Sequence, residues 1–337
     1  METPDAAPYS TLTPDCVLNA MDSLGGGGYR ADGRLLALNS YENRVYQIGM
    51  EDGPMLVAKF YRAARWSDAA ILEEHAFVEE LVAQELPVVA PLTIAGTTLH
   101  YFAGHRFAVF PKRGGRSPEF EDGATLEWMG RFIGRIHAIG AQRDFRERPA
   151  LDIASFGEEP RDFLLAHQFI PADLLDAWES VMSMALEGVD RCYGRAGEVR
   201  RLRLHGDCHA GNVLWNDSGP EKGPHFVDFD DSRMGPAMQD LWMLLSGGRD
   251  EMAGQFADVL RGYRRFYDFN PRELHLLEAL RTLRLIHYSA WLARRWVDPA
   301  FPHAFPWFNT QRYWQDRILE MREQIALMDE GPIPFMP

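Results

Sequence analysis

Between Leu204 and Asn212 the chain reads LHGDCHAGN, setting two histidines, a cysteine, an aspartate and an asparagine in one short stretch. Three chemistries could use such a set. His205, Cys208 and His209 are zinc-ligand types, and the two histidines stand at the i, i+4 spacing of helical zinc sites. Gly206 and Gly211 make the stretch a poor helix, so that spacing loses its geometric meaning, and no further Cys or His stands at a spacing that completes a site. Cys208 beside a histidine could be a nucleophile, but that needs a depressed pKa, and a small buried cysteine is the simpler reading. The third chemistry uses the acid and the amide: Asp207, then Asn212, then Asp228 in FVDFDD at the end of an apolar strand. Phosphoryl transfer needs a carboxylate that accepts or orients the attacking hydroxyl proton, together with hard oxygen ligands for Mg²⁺. This set supplies both.

The same chemistry demands a strand-borne lysine to hold phosphates and a glutamate on the next helix to pair with it. LVAKF puts Lys59 on the third of three short β-type runs, 34–41, 44–49 and 55–60, and Ser67 caps a predicted helix over 67–85. Ile71, His75, Val78 and Val82 form that helix's stripe, and ILEEH offers Glu74, with Glu73 as its neighbouring alternative. Alone, each of these charges would be read as solvated; joined to the Asp, Asn, Asp set they form a pattern. The loop NSYENR at 39–44 joins the first two strands, and its N–H groups with the Ser40 hydroxyl could cradle phosphate oxygens. GGGG at 25–28 lies too far ahead of Lys59 for that task and reads as a flexible connection after a short helix begun by Thr13 and Pro14.

Further strands are predicted at 91–96, 99–102 and 106–110, and the Gly- and Pro-bearing segment 110–123 marks the boundary between a β-rich part and a helix-rich part. Helices are expected over 124–140, 172–192, 237–246, 251–267, 271–297 and 310–328, with strand-like VRRLRL, NVLW and HFVDF framing the opening motif. The chain of 337 residues is long enough for two domains, and its formal charge of −14 argues against a broad grip on nucleic acid. Three scattered cysteines support no disulfide framework, and no long uncharged apolar run or leader-like opening is seen, so a cytoplasmic, membrane-free protein is expected.

LHGDCHAGNVLW, FVDFDDSRMGPAMQDLWMLL, VAKFYRAARWSDAAILEEH and AWLARRWVDPAFPHAFPW together resemble the stress response kinase A family of bacterial protein kinases, within the aminoglycoside phosphotransferase and choline kinase-like group. The resemblance runs from about residue 33 to 328. It implies an α+β, bilobal protein kinase-like fold, with an N-terminal antiparallel sheet lobe carrying one main helix and a larger, mostly helical C-terminal lobe. The corresponding divisions are an N-terminal extension 1–32, an N-lobe 33–110, a hinge 111–122 and a C-lobe 123–330. ATP and Mg²⁺ are the implied cofactors, Ser or Thr of proteins including itself the implied acceptors, and a monomer the implied state. By position, Asp207 would be the catalytic base, Asn212 and Asp228 the Mg²⁺ ligands, Lys59 with Glu74 the phosphate clamp, and Ser40 a nucleotide contact. The AVFP segment, with Phe110, would be the hinge at adenine, and Asp240 would anchor the catalytic loop.

Gly206 stands where protein kinases of the H-R-D type carry arginine, DFD replaces D-F-G and no A-P-E follows, so control by activation-loop phosphorylation is not expected. His209 stands where such kinases often place a lysine, and is expected to donate to the γ-phosphate or to orient Asp207. Asp230 and Asp231 are open between loop charges and metal or substrate residues. Tyr288, Trp291, Trp296, Trp307, Trp314, Arg294 and Arg295 are open between core packing and an acceptor-binding wall. The competing functions are a small-molecule kinase acting on an amino alcohol, homoserine-like or aminoglycoside hydroxyl, and a non-catalytic kinase-fold binding protein.

Overall fold

A computed structural model describes residues 8–25, 28–218 and 222–334. The chain divides into two compact units, Met1–Pro118 with Gly211–Asp230, and Glu119–Ala210 with Asp231–Pro337.

In the first unit, helix α1 (Pro14–Asp22) starts where Thr13 accepts the Cys16 N–H, with Pro14 in the first turn. Its Val17, Ala20 and Met21 are buried in one cluster with Ile48, Phe60 and Phe107 of the sheet. The segment read as an N-terminal extension therefore supplies part of this core. Gly26 and Gly27 of the glycine run lie outside the described residues.

Strands β1 (Ala31–Ala37), β2 (Arg44–Met50) and β3 (Leu56–Phe60) precede helix α2 (Asp68–Ala83), and β4 (His100–Phe102) and β5 (His105–Pro111) complete an antiparallel sheet in the order β1-β2-β3-β5-β4. Register sets Lys59 against Val45 on one side and Ala108 on the other, with Val57 against Phe110. Because side chains alternate along a strand, Lys59 and Phe110 share one face. On α2 the buried face carries Ile71, His75 and Val78 of the predicted stripe together with Glu74, Phe77 and Leu81, whereas Val82, the stripe's last member, is exposed. The strand expected at 91–96 is a turn instead. Pro91 lacks an N–H, and Ala95 and Gly96 adopt positive φ of 51° and 83°, leaving only the Ile94–Thr97 bridge within it.

The second unit holds helices α3 (Gly123–Gly140), α4 (Glu159–Ala166) and α5 (Leu175–Ala196), then the short strand β6 (Leu202–Arg203). The chain then returns to the first unit for the hairpin β7 (Val213–Asn216) and β8 (Gly223–Phe226), which Pro87, Val89 and Arg116 join by backbone bonds. Residues 211–230 were read as C-lobe from their place in the sequence; these long-range bonds assign them to the sheet-bearing unit. The second unit resumes with β9 (Met234–Gly235), which pairs with β6, and helices α6 (Met238–Trp242), α7 (Arg249–Tyr263), α8 (Leu277–Arg294), α9 (Ala300–Ala304) and α10 (Gln311–Asp329). Helices α3 and α7 approach closely through Gly130 and Gly262, where a side-chain carbon would overlap the facing backbone carbonyl of Val259 or Glu127. The helix predicted over 271–297 opens as a 3₁₀ segment, Pro271–Leu276, before α8. Helices α4 and α9 span 8 and 5 residues and contain Pro160 and Pro302, too short to show a helical period in sequence.

Candidate active site

Lys59 projects from the central strand β3 and is buried, at 6% exposure. Its Nζ lies 2.7 Å from Asp228 Oδ1 and 3.4 Å from Asp230 Oδ1. Burial works against the ammonium, but the fields of Asp228, Asp230 and Glu74 outweigh it and hold its pKa well above the ordinary lysine value. Glu74, rather than the half-buried Glu73, points into the unit, and it acts on Lys59 through its charge, while the ion pairs at contact distance are those with Asp228 and Asp230. A buried relay fixes α2: the Tyr61 hydroxyl and His75 Nε2 are 2.8 Å apart, as are His75 Nδ1 and Thr98 Oγ1. Phe110 meets the His75 ring edge-on.

Asp230 is a buried acceptor, 3% exposed, that receives Asn43 Nδ2 at 3.0 Å and pairs with Arg65 as well as Lys59. Asn43 Oδ1 in turn accepts the Arg62 N–H at 3.1 Å. Asn43 and Arg65 escaped the sequence reading, in which a polar loop residue and a basic residue after a strand carry no signal of partners so far along the chain. In the loop before β2, the Ser40 hydroxyl donates to the Asn43 carbonyl at 3.2 Å and so helps shape the turn.

The strand read over HFVDF ends early, at Phe226. Val227 donates its N–H to the Asn212 carbonyl at 3.0 Å, and Asp228 takes a left-handed backbone with φ 59°, costly for a non-glycine residue. Asn212 and Asp228 thus flank one hydrogen bond at the mouth of the β7–β8 hairpin. A carboxylate and an amide oxygen are the donors a hard divalent cation such as Mg²⁺ takes, and Asp228, with its side chain 49% exposed, is open to one.

In the second unit Asp240 organises the loop that carries Asp207. Its Oδ2 and Oδ1 accept the N–H groups of His205 and Gly206, each at 2.8 Å, and Oδ2 also lies 3.1 Å from Nε2 of the buried His137. His137 Nδ1 is 2.8 Å from the Tyr263 hydroxyl. Gly206 has φ 88°, and a side-chain carbon there would overlap the Asp231 carbonyl oxygen. From this turn Asp207 emerges with Oδ1 2.6 Å from Arg284 Nη1 and Oδ2 3.4 Å from His209 Nε2. Burial opposes its ionisation, but the His209 ring and the Arg284 guanidinium prevail and hold the carboxyl below the ordinary aspartate value. Arg284, missed in the sequence, had one visible signal: a charge inside the apolar run LRLIHYSAWLA. Cys208 is fully buried, and burial followed by the charges of Asp240 and Asp207 pushes its thiol up, opposite to a nucleophile's need. Asp231 pairs with Arg233 at 3.0 Å. Of the aromatic group, Trp314 is core and Trp307 is 46% exposed, while Trp291 stacks with Tyr288 and lies under Arg295.

A model of the phosphotransferase enzyme family matches residues 34–277. The chain is 43% identical over 333 residues to "Stress response kinase A" of Salmonella choleraesuis (strain SC-B67), covering 99% of this chain and 98% of that protein. "Serine/threonine protein kinase RdoA" of Salmonella typhimurium (strain LT2) matches at the same identity and coverage. The chain belongs to the stress response kinase A family of phosphotransferases. Membership makes it a kinase. Among solved structures, "Amicoumacin kinase hAmiN in complex with AMP-PNP, Ca2+ and Ami" aligns with a TM-score of 0.67 at 22% identity, covering 90% of this chain and 91% of that one, a likeness of fold. The α+β architecture of this family is the one described above, with the antiparallel sheet N-terminal and the larger helical part C-terminal. Among the described residues of this stress response kinase A family member, no helix is long and apolar enough to cross a membrane.

Proposed function

We propose that this protein is an ATP- and Mg²⁺-dependent Ser/Thr protein kinase that also phosphorylates itself. The observation that carries phosphoryl transfer is the Lys59–Asp228 pair at 2.7 Å beside Asn212, an ammonium and two oxygen donors gathered by residues far apart in sequence. The protein acceptor is supported by the relative named Serine/threonine protein kinase RdoA, and the nucleotide by the AMP-PNP and Ca²⁺ complex of the amicoumacin kinase. A divalent ion held by Asn212 and Asp228 would set positive charge against the phosphate oxygens. Lys59 holds phosphate oxygens, with Asp230 and Glu74 keeping it charged; Ser40 and the loop N–H groups close over them, and Phe110 belongs to the strand that meets the base. Asp207 orients the acceptor hydroxyl, whose oxygen attacks the γ-phosphorus as the bond to the bridging oxygen breaks and ADP leaves. The hydroxyl proton passes to the Asp207 carboxylate, and His209 holds that carboxylate's other oxygen.

A small-alcohol kinase is the second reading, favoured by the amicoumacin kinase likeness of fold. Labelled ATP and Mg²⁺ with the protein alone, with generic protein acceptors and with small alcohols decide between them. Label on Ser or Thr is expected, falling by about 10²- to 10⁴-fold in Asp207→Asn. Label confined to a small alcohol would establish the second reading. An Asp207→Asn variant as fast as the parent would remove the role given to that carboxylate.

A further inference from the structure

The Asp207 carboxylate is more heavily engaged by positive charge than orienting a neutral hydroxyl requires. Arg284, on the middle of α8, sets Nη1 2.6 Å from Oδ1, the oxygen opposite the one His209 approaches. A hydroxyl that takes the position of Nη1 at Oδ1 displaces this guanidinium, and the displaced charge then needs another anion. The nearby acid of the same unit, Asp231, is already held by Arg233 at 3.0 Å, and Arg233 is itself buried over the Phe156 ring. Arg284 by contrast has its side chain 38% exposed, within reach of a ligand.

We infer that Arg284 is a specificity residue for the acceptor, binding an acidic group beside the hydroxyl to be phosphorylated, so that Ser or Thr flanked by Asp or Glu is the preferred substrate. The inference rests on the reading of Asp207 as the residue that takes the hydroxyl proton. A guanidinium carries five N–H donors in a planar fork and binds a carboxylate through two of them. When an acceptor carboxylate arrives, the fork turns to it and Oδ1 is released to the neighbouring hydroxyl. An acceptor that carries an amine there meets a like charge and leaves the Asp207–Arg284 pair closed. Substrate binding and unmasking of the carboxylate are then one event.

The test uses the full chain with labelled ATP, Mg²⁺ and three serine peptides identical except for flanking Glu, Ala or Lys. The Glu peptide is expected to exceed the Ala peptide about tenfold in kcat/KM, the worth of one charge-assisted bond, with the Lys peptide poorest. Arg284→Ala should bring the Glu and Ala peptides to near equality through the peptide KM, with the KM for ATP unmoved. Arg284→Lys should keep part of the preference, because it retains the charge without the fork. Arg284→Glu should make the Lys peptide the best. No preference for Glu in the parent, a preference that survives Arg284→Ala, or a change that falls on the KM for ATP would each overturn the inference while leaving the kinase reading intact. Label on a small alcohol and on none of the peptides would instead overturn the protein-kinase reading.

Discussion

A methyl group at position 206 has nowhere to go. The backbone there is left-handed, and the space a side chain would need is filled by the Asp231 carbonyl oxygen. Glycine at this position is what lets the next residue, Asp207, turn out toward Arg284 and His209. Gly206→Ala is expected to cost at least about 2 kcal/mol, strain and overlap together, and to lower the rate of transfer by displacing Asp207. Equilibrium unfolding in urea and the labelling assay check the two halves of that expectation; a variant as stable and as fast as the parent would mean the turn relaxes without consequence. Asp207, Asn212, Asp228 and Lys59 were read from the sequence as a set because their residue types and spacings match one chemistry. Asn43, Arg65 and Arg284 were not, since each is defined by a partner remote in sequence: Arg65 meets Asp230 and Arg284 meets Asp207 only once the units fold.

At the scale of elements, α6 matters more than its 5 residues suggest, because it carries Asp240. That side chain is almost fully buried and accepts two backbone N–H groups of the Asp207 loop while facing His137 of α3. Asp240→Asn puts an NH₂ group, in either orientation of the amide, against a backbone N–H that needs an oxygen, that of His205 or that of Gly206. The expected loss is about 3 kcal/mol, the range for breaking a buried polar network, accompanied by a lower kcat. A urea midpoint within the error of the parent's would show that strand β6 and Gln239, which bonds the Gly206 carbonyl, hold the loop unaided. Periodicity, with the cap at Ser67, foretold most long elements, including α2, α3 and α10. They failed where pairing rather than period decides, as at 91–96, and at β8, where Val227 and Asp228 of the predicted strand bend away to bond Asn212 and Lys59.

For the whole molecule, pH near neutrality enters through a buried acid away from Lys59 and Asp207. Glu273, in the 3₁₀ segment before α8, accepts the Met238 N–H at 2.9 Å, and burial pushes its carboxyl up to about 7 against the opposing backbone hydrogen bonds. A carboxyl raised on folding is proton-rich in the folded state, so its contribution is fully present below the unfolded value and is lost as pH rises through about 7. Stability of the parent against thermal unfolding is therefore expected to fall between about pH 4.5 and 7, by roughly 3 kcal/mol in all, relative to Glu273→Gln, which stays neutral and can still accept the bond. Parallel pH profiles for the two proteins would exclude the effect. Lys59 and Asp207 shift the other way, each toward its charged form, so neither titrates near neutrality.

The sequence by itself determined the chemistry and the order of elements, because residue types, caps and short periods are local properties of a chain. Tertiary structure decided which charges meet. It buried Glu74 and left Glu73 half-exposed, brought Asp230 to Lys59 and Arg284 to Asp207, bent Asp228 off its strand, and assigned 211–230 to the sheet-bearing unit. The reason is physical: a buried ion must find a counter-charge wherever the packed chain supplies one, and Lys59 finds Asp228 across 169 positions, a distance over which no periodic pattern in sequence carries information.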